Sequence, residues 1–196
     1  MVLYGASGHA KVVIDILEAN NVPIDYIVDD DYSISELLGY SVKHDCNLFD
    51  EVLVAIGDCQ QRRKIVENIK ANKFTIAIHP SAIISPRARI EDGSVIMQGA
   101  IVQSCASIGK HCVVNTGASV GHDVTLSDYV HVAPQAVVTG NVQVGECTWI
   151  GAGAVIKQGI KIGSNCMIGA GAVVVKDVAD GTTVVGNPAR CIIRKN

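Results

Sequence analysis

GASVGHDVTLSDYVHVAP, residues 117–134, contains three aliphatic residues spaced by six: Val120, Leu126 and Val132. The same step runs back to Ile78 and forward to Val174, and all 17 positions are Ile, Val or Leu. Four residues after most of them stands a small residue, such as Ala100, Ala106, Cys112, Ala118, Ala136 or Ala154. Glycines directly follow the aliphatic position at 109, 121, 145, 151, 163 and 169. This period fits neither a 3.6-residue helix nor an alternating strand. It fits a parallel β-solenoid, in which each hexapeptide makes one flat face and one turn. Three faces close a triangular coil, so residues 18 apart stack about one strand spacing from each other. The aliphatic residue points inward, the small residue leaves it room, and the turns call for Gly, Asn or Asp. A β-sandwich would not keep one register for 17 repeats.

Before Ile78 the pattern changes. VLYGASGHAKVVIDILEANN (2–21) reads as a strand, a glycine turn and a helix from about Ser7, with Val12, Val13, Ile16 and Leu17 as its apolar stripe. YIVDD (26–30) and EVLVAIGD (51–58) read as two more strands, and QRRKIVENIKANK (61–73) as a second helix. Alternation of this kind predicts a small parallel sheet of βαβ units. The expected fold is therefore α/β plus β-solenoid. A Rossmann-like domain over residues 1–75 precedes a left-handed parallel β-helix with a short tail over 76–196.

Composition agrees. The chain has 196 residues, 48% hydrophobic but only 4% aromatic, with 19 glycines, which suits β-branched cores and tight turns. A net charge of −3 with no long Lys or Arg run argues against nucleic acid or an anionic membrane as the main partner. No apolar stretch is long enough to span a bilayer, and no charged segment precedes an apolar one at the N-terminus. A cytoplasmic protein is expected. Seven cysteines without a C-x-x-C pair argue against a disulfide framework or zinc knuckle, and for small buried thiols.

Two places carry chemistry. In the turn Gly5-Ala6-Ser7-Gly8-His9, glycines and the free N–H groups of a helix start suit an anion, although the motif is G-x-x-G and not the dinucleotide pattern. Tight packing of helix on sheet explains the same glycines equally well. Asp29 and Asp30 stand where a strand end holds a ribose or sugar hydroxyl, or else form a solvated turn. The second place is His122-Asp123. Acyl transfer from a thioester needs a base to take the acceptor's proton. Histidine with a neighbouring carboxylate suits that task at neutral pH. His122 is outside the inward set, and a corner at Asp123 brings the two side chains together. Gly140, one coil on, leaves space for a thioester and offers an N–H to the developing oxyanion.

The hexapeptide array resembles the left-handed β-helix acyltransferases over residues 78–190, and VVGNPAR (184–190) looks like their closing segment. No coil carries the inserted loop that many members have. The order GASGHAKVV, Asp29-Asp30, AIGDxxxR and IHPSAIIS resembles, more narrowly, the sialic acid O-acetyltransferase and sugar-nucleotide N-acetyltransferase family of bacterial glycan biosynthesis. That resemblance implies a nucleotide-sugar acceptor at Ser7, Gly8, His9, Asp29, Asp30, Gly57 and Arg62. It implies acetyl-CoA as donor, with His131 near the thioester and the backbone of Ala152 and Ala170 along the coenzyme. It implies His122 as base, direct attack by the acceptor, and a homotrimer with active sites at subunit boundaries. Asp58 departs from the asparagine common in this family. The expected acceptor is a nucleotide-linked 4-amino-4,6-dideoxy sugar, with O-acetylation of sialic acid and a non-catalytic nucleotide-sugar-binding module as alternatives. No metal is expected, because the spacing of His111, His122 and His131 differs from that of γ-type carbonic anhydrases, which share the prism.

Overall fold

The computed structural model describes residues 1–192. From Ala77 onward the chain winds into a three-sided parallel solenoid of eight-, six- and five-stranded faces. Face one starts at Ala77–Ile78, face two at Ile83–Ile84 and face three at Arg89–Ile90. Coils pair in the expected register, as in Val95 opposite Val113 and Ser119 opposite Val137. Inside, Val102, Ile108, Val120, Leu126 and Val138 are buried against Ala100, Ala106, Cys112, Ala118 and Ala136. Each fully buried aliphatic side chain contributes about 1.5–3 kcal/mol, and the interior uses little else.

The corners have a rule that composition did not reveal. The left-handed conformation falls three residues after the aliphatic position, as at Gly93, Cys105, His111, Gly117, Asp123, Tyr129, Gln135, Asn141 and Cys147. The glycines directly after the aliphatic position do a different job. A Cβ on Gly121 would lie 2.8 Å from the Gly140 nitrogen of the next coil. They allow close stacking and are not the turn residues.

The first 74 residues form a sheet of order β3-β4-β2-β1-β5-β6. Its strands are β1 (Val2–Tyr4), β2 (Tyr26–Val28), β3 (Glu36–Leu37), β4 (Tyr40–Lys43), β5 (Leu48–Val54) and β6 (Lys70–Phe74), with helices α1 (Gly8–Ala19) and α2 (Cys59–Asn68). Several expectations are corrected here. The third strand of the sequence reading covers 48–54 rather than 51–58, and α2 ends at Asn68 rather than 73. Residues 70–74 pair with β5 as an edge strand, tied by Lys73–Glu51 (2.6 Å) and Asn72–Asp50 (3.0 Å). Residues 36–43 add an antiparallel hairpin whose turn residues Leu38 and Gly39 both have positive φ. In α1, Ile14 is buried where Val12 is only half-buried.

α1 is apolar on two sides because it is sandwiched. One side packs on the sheet, and the other packs on Ala77, Val95, Met97 and Val113 of the solenoid. The outward positions of face one from Ala77 to His131 are thus covered by the N-terminal domain.

Candidate active site

Asp123 occupies the left-handed region, φ +59, at the corner between faces two and three. Aspartate tolerates that conformation better than most residues. Its amide donates to Ser104 O at 3.1 Å, and its side chain turns back to the preceding residue. His122 Nδ1 lies 2.7 Å from Asp123 Oδ2. A carboxylate only accepts, so Nδ1 carries the proton and Nε2 keeps a free lone pair. Both side chains are more than half exposed in the single chain.

Gly140 lies under the ring. A Cβ there would stand 2.5 Å from His122 Nε2. The expectation that Gly140 leaves room for a thioester changes accordingly, since the Nε2 end of the imidazole occupies the space a side chain would take. Among the described residues the Gly140 N–H has no acceptor.

Ala152 and Ala170 stack at the corner between faces one and two, with Gly171 N donating to Ala152 O at 2.8 Å. Both are exposed, and beside them Gly153 and Gly171 face open space. These corners and His122 border opposite edges of face two. A single chain does not bring them together.

His131 differs from its expected place. It stands on face one, across the prism from the His122 corner, and is only 2% exposed. Nδ1–H donates to Gly57 O at 2.9 Å, and Nε2 accepts from Asn115 Nδ2 at 3.1 Å. With both nitrogens engaged, it has no group free for a coenzyme in this arrangement. His111 sits at a third position, its ring stacked on Tyr129, so His111, His122 and His131 do not converge within one chain.

Arg62 also takes an unexpected task. It is 1% exposed and donates to four backbone oxygens, Ile56 and Gly57 in the N-terminal domain and His111 and Tyr129 in the solenoid, at 2.8–2.9 Å. The guanidinium staples the two domains with four of its five N–H groups and is buried away from any acceptor in this arrangement. Burial, with Arg62 nearby, holds His9 and His111 at a pKa of about 4 and His131 at about 3. All three are neutral near pH 7.

The N-terminal loops meet the solenoid at this staple. Gly5 has φ +115, and any Cβ there would strike Ile56 and Ala55 O. The Ser7 side chain makes no cap bond, and Gly8 faces open space, so the start of α1 is unobstructed. Asp29 is spent internally, accepting from the amides of Ala6 (2.6 Å) and Asp31 (2.8 Å). Asp30 accepts from Tyr4 OH at 2.7 Å, beside a cavity of about 360 Å³ lined also by Gln61, Lys64 and Ile65. Asp58 caps α2 by accepting from Gln61 N at 2.8 Å, a role Asn fills equally well. The His9 ring lies 6.1 Å from that of His131.

A hexapeptide prism joined to a small α/β domain with an open helix start defines a hexapeptide-repeat acyltransferase. Residues 1–69 match the PglD N-terminal domain, and residues 141–176 match the bacterial transferase hexapeptide, six repeats. The chain is similar to perosamine N-acetyltransferase from Caulobacter crescentus, solved with CoA and GDP-perosamine. The two are 36% identical with a TM-score of 0.90, covering 97% of this chain and 95% of that one. It is similar to the acetyltransferase domain of PglB from Neisseria gonorrhoeae at 38% identity, TM-score 0.89, covering 97% of this chain and 98% of that one. WeeI from Acinetobacter baumannii is 31% identical, TM-score 0.88, with 97% and 98% covered. The chain belongs to this family of hexapeptide-repeat acetyltransferases with a PglD-type N-terminal domain.

Proposed function

We propose that this enzyme transfers the acetyl group of acetyl-CoA to the amine of a nucleotide-linked 4-amino-4,6-dideoxyhexose. The observation that carries the reading is the 2.7 Å bond from His122 Nδ1–H to Asp123, which leaves Nε2 free as a base. The acceptor's neutral amine attacks the thioester carbonyl, forming the C–N bond. Nε2 takes the proton that nitrogen sheds, the C–S bond breaks, and CoA leaves as its thiol after receiving a proton. No acyl-enzyme is required. The Gly140 N–H is a candidate donor to the oxyanion. Complexes of relatives with CoA, acetyl-CoA and GDP-perosamine support donor and acceptor class, and the N-acetyltransferase activity of the Caulobacter crescentus relative favours nitrogen over oxygen as the acceptor. The open start of α1 supports the N-terminal domain as the holder of the nucleotide diphosphate.

The way the prism is clothed supports a homotrimer. Face one is covered by the N-terminal domain, and face three presents Arg89, Ser107, Thr125, Gln143 and Lys161. Face two presents Ile83, Ile101, Val137, Val155 and Val173, interrupted by Ser119, with Ile83 64% exposed. An apolar column of this length asks for a neighbour. Packing it against a second prism brings one chain's His122 edge to the coenzyme edge of another. Among the described residues no helix is long and apolar enough to cross a membrane. With acetyl-CoA as donor, the reading places the enzyme in the cytoplasm.

The test is CoA release, followed with a thiol reagent. Acetyl-CoA is supplied with UDP-, GDP- and dTDP-4-amino-4,6-dideoxyhexoses beside free and CMP-linked sialic acid. Rapid release with one amino sugar is expected and identifies the nucleotide. Release with sialic acid alone makes the enzyme an O-acetyltransferase, and no release with any acceptor removes the catalytic reading.

A further inference from the structure

Resting on the reading of the N-terminal domain as the nucleotide holder, the cavity beside Asp30 bears on which base that nucleotide carries. Its volume is about 360 Å³. One wall is made by the ends of β1 and β2, with Tyr4 and Asp30, and the other by α2, with Gln61, Lys64, Ile65 and Asn68. The cavity adjoins the helix start. Tyr4 runs directly into the Gly5–Gly8 turn, where Gly5 N donates to Val28 O at 2.7 Å. Asp29, the neighbour of Asp30, accepts from the Ala6 amide at 2.6 Å. The turn that suits a diphosphate and the cavity therefore share one end of the sheet.

Two opposite charges line this space without meeting. Among the described residues neither Asp30 nor Lys64 has an ion-pair partner. The Asp30 carboxylate is half used. Tyr4 OH donates to Oδ1 at 2.7 Å, and burial together with that bond pushes the tyrosine pKa upward, so the hydroxyl remains a donor. Oδ2 is the free acceptor. Lys64 can only donate, and the amides of Gln61 and Asn68 can donate or accept. The walls thus offer an acceptor in company with donors, and Ile65 and Ile69 add apolar surface.

We infer that this cavity seats the base of the acceptor's nucleotide and that the base is a pyrimidine-2,4-dione, uracil or thymine. The edge of such a base reads carbonyl, N3–H, carbonyl. N3–H donates to Asp30 Oδ2, and the flanking carbonyls accept from Lys64 and from a Gln61 or Asn68 amide. Cytosine sets a lone pair at N3 against the carboxylate, and adenine does the same with N1. Guanine presents two adjacent N–H groups and needs both carboxylate oxygens, one of which Tyr4 occupies. A site built to hydrogen-bond its ligand rejects a base that leaves those groups unpaired. Asp30 then reads the base and not a ribose hydroxyl.

The test is calorimetric titration of the wild-type protein with UDP, dTDP, GDP, ADP and CDP, without acetyl-CoA. UDP, dTDP or both should bind at least about tenfold tighter than the other three. The ratio of UDP to dTDP shows whether the C5 methyl is admitted. Binding of GDP, ADP or CDP as tight as either overturns the inference, and so does no binding by any of the five. Asp30→Asn keeps an acceptor for Tyr4 but turns an N–H toward the base. It should weaken UDP about tenfold and shrink the preference for UDP over CDP. Lys64→Met should weaken UDP and dTDP about tenfold and leave ADP unchanged. Both side chains are exposed, so the variants should keep the wild-type circular dichroism. Unaltered affinities in both variants refute the base seat. Transfer to a GDP-linked sugar alone refutes the base and keeps the acetyltransferase. Base-selective binding without transfer to any amino sugar keeps the base and refutes the enzyme reading.

Discussion

His122 and Asp123 are neighbours in sequence, yet adjacent side chains on a straight strand point apart. The left-handed corner at Asp123 makes them a pair. Asparagine accepts that backbone conformation and keeps an acceptor for Nδ1–H, but removes the charge. Asp123→Asn should therefore lower kcat about tenfold with little change in thermal midpoint, as read by CoA release and calorimetry. His122→Ala should lower kcat by about two to four orders of magnitude, and a loss under tenfold would sink the general-base role. Gly140→Ala probes position. Its methyl would enter the space of the imidazole, 2.5 Å from Nε2, at a residue whose own backbone is not left-handed. Turnover should fall about a hundredfold while coenzyme affinity measured by calorimetry is kept, because displacing a base by an ångström or so is enough. The pair and the glycine one coil on could be found in the sequence, whereas the imidazole filling the space beside Gly140 was decided by the structure.

Element boundaries were less legible. KIVENIKANK has the composition of a helix, and local propensity carries α2 past its true end at Asn68. The edge of β5 captures residues 70–74 instead, through Lys73–Glu51 and Asn72–Asp50. Such pairings depend on a partner strand twenty residues away and leave no local trace. Arg62 extends the point. The family resemblance implied an acceptor contact at this residue, but its side chain satisfies four carbonyls across two domains. Arg62→Met should leave those oxygens unpaired and cost about 2–4 kcal/mol. The N-terminal domain should then unfold first in denaturant, giving two transitions by hydrogen exchange. A single unshifted transition would show that the staple contributes nothing.

At the scale of the molecule, the three faces have three fates: covered by its own domain, turned to water, or left apolar. Val155→Glu on face two should give a monomer by sedimentation, with unchanged circular dichroism and lost activity. A fully active monomer would refute a site shared between subunits. The junction also makes stability depend on pH. His9, His111 and His131 bind protons only below about pH 4 in the folded protein, whereas unfolded histidine does so below about 6.5. Between those values the unfolded chain binds more protons, so stability is complete above pH 6.5 and declines as pH falls toward 4. The His111 ring packs between Phe74 and Tyr129 with Nδ1 unpartnered, so phenylalanine replaces it without losing a bond. His111→Phe should reduce the slope of urea stability against pH by about one proton.

The solenoid, its register, the outward His122–Asp123 pair and the α/β character of the first segment were determined by the sequence alone. A solenoid is nearly one-dimensional, each coil touching only the coil 18 residues away, so a short period encodes it completely. Only the tertiary structure decided which face is covered and why His131 and Arg62 are buried. Those outcomes rest on contacts with the carbonyls of Gly57, His111 and Tyr129. Backbone oxygens are the same at every residue, and nothing in a sequence marks which of them will meet a buried donor.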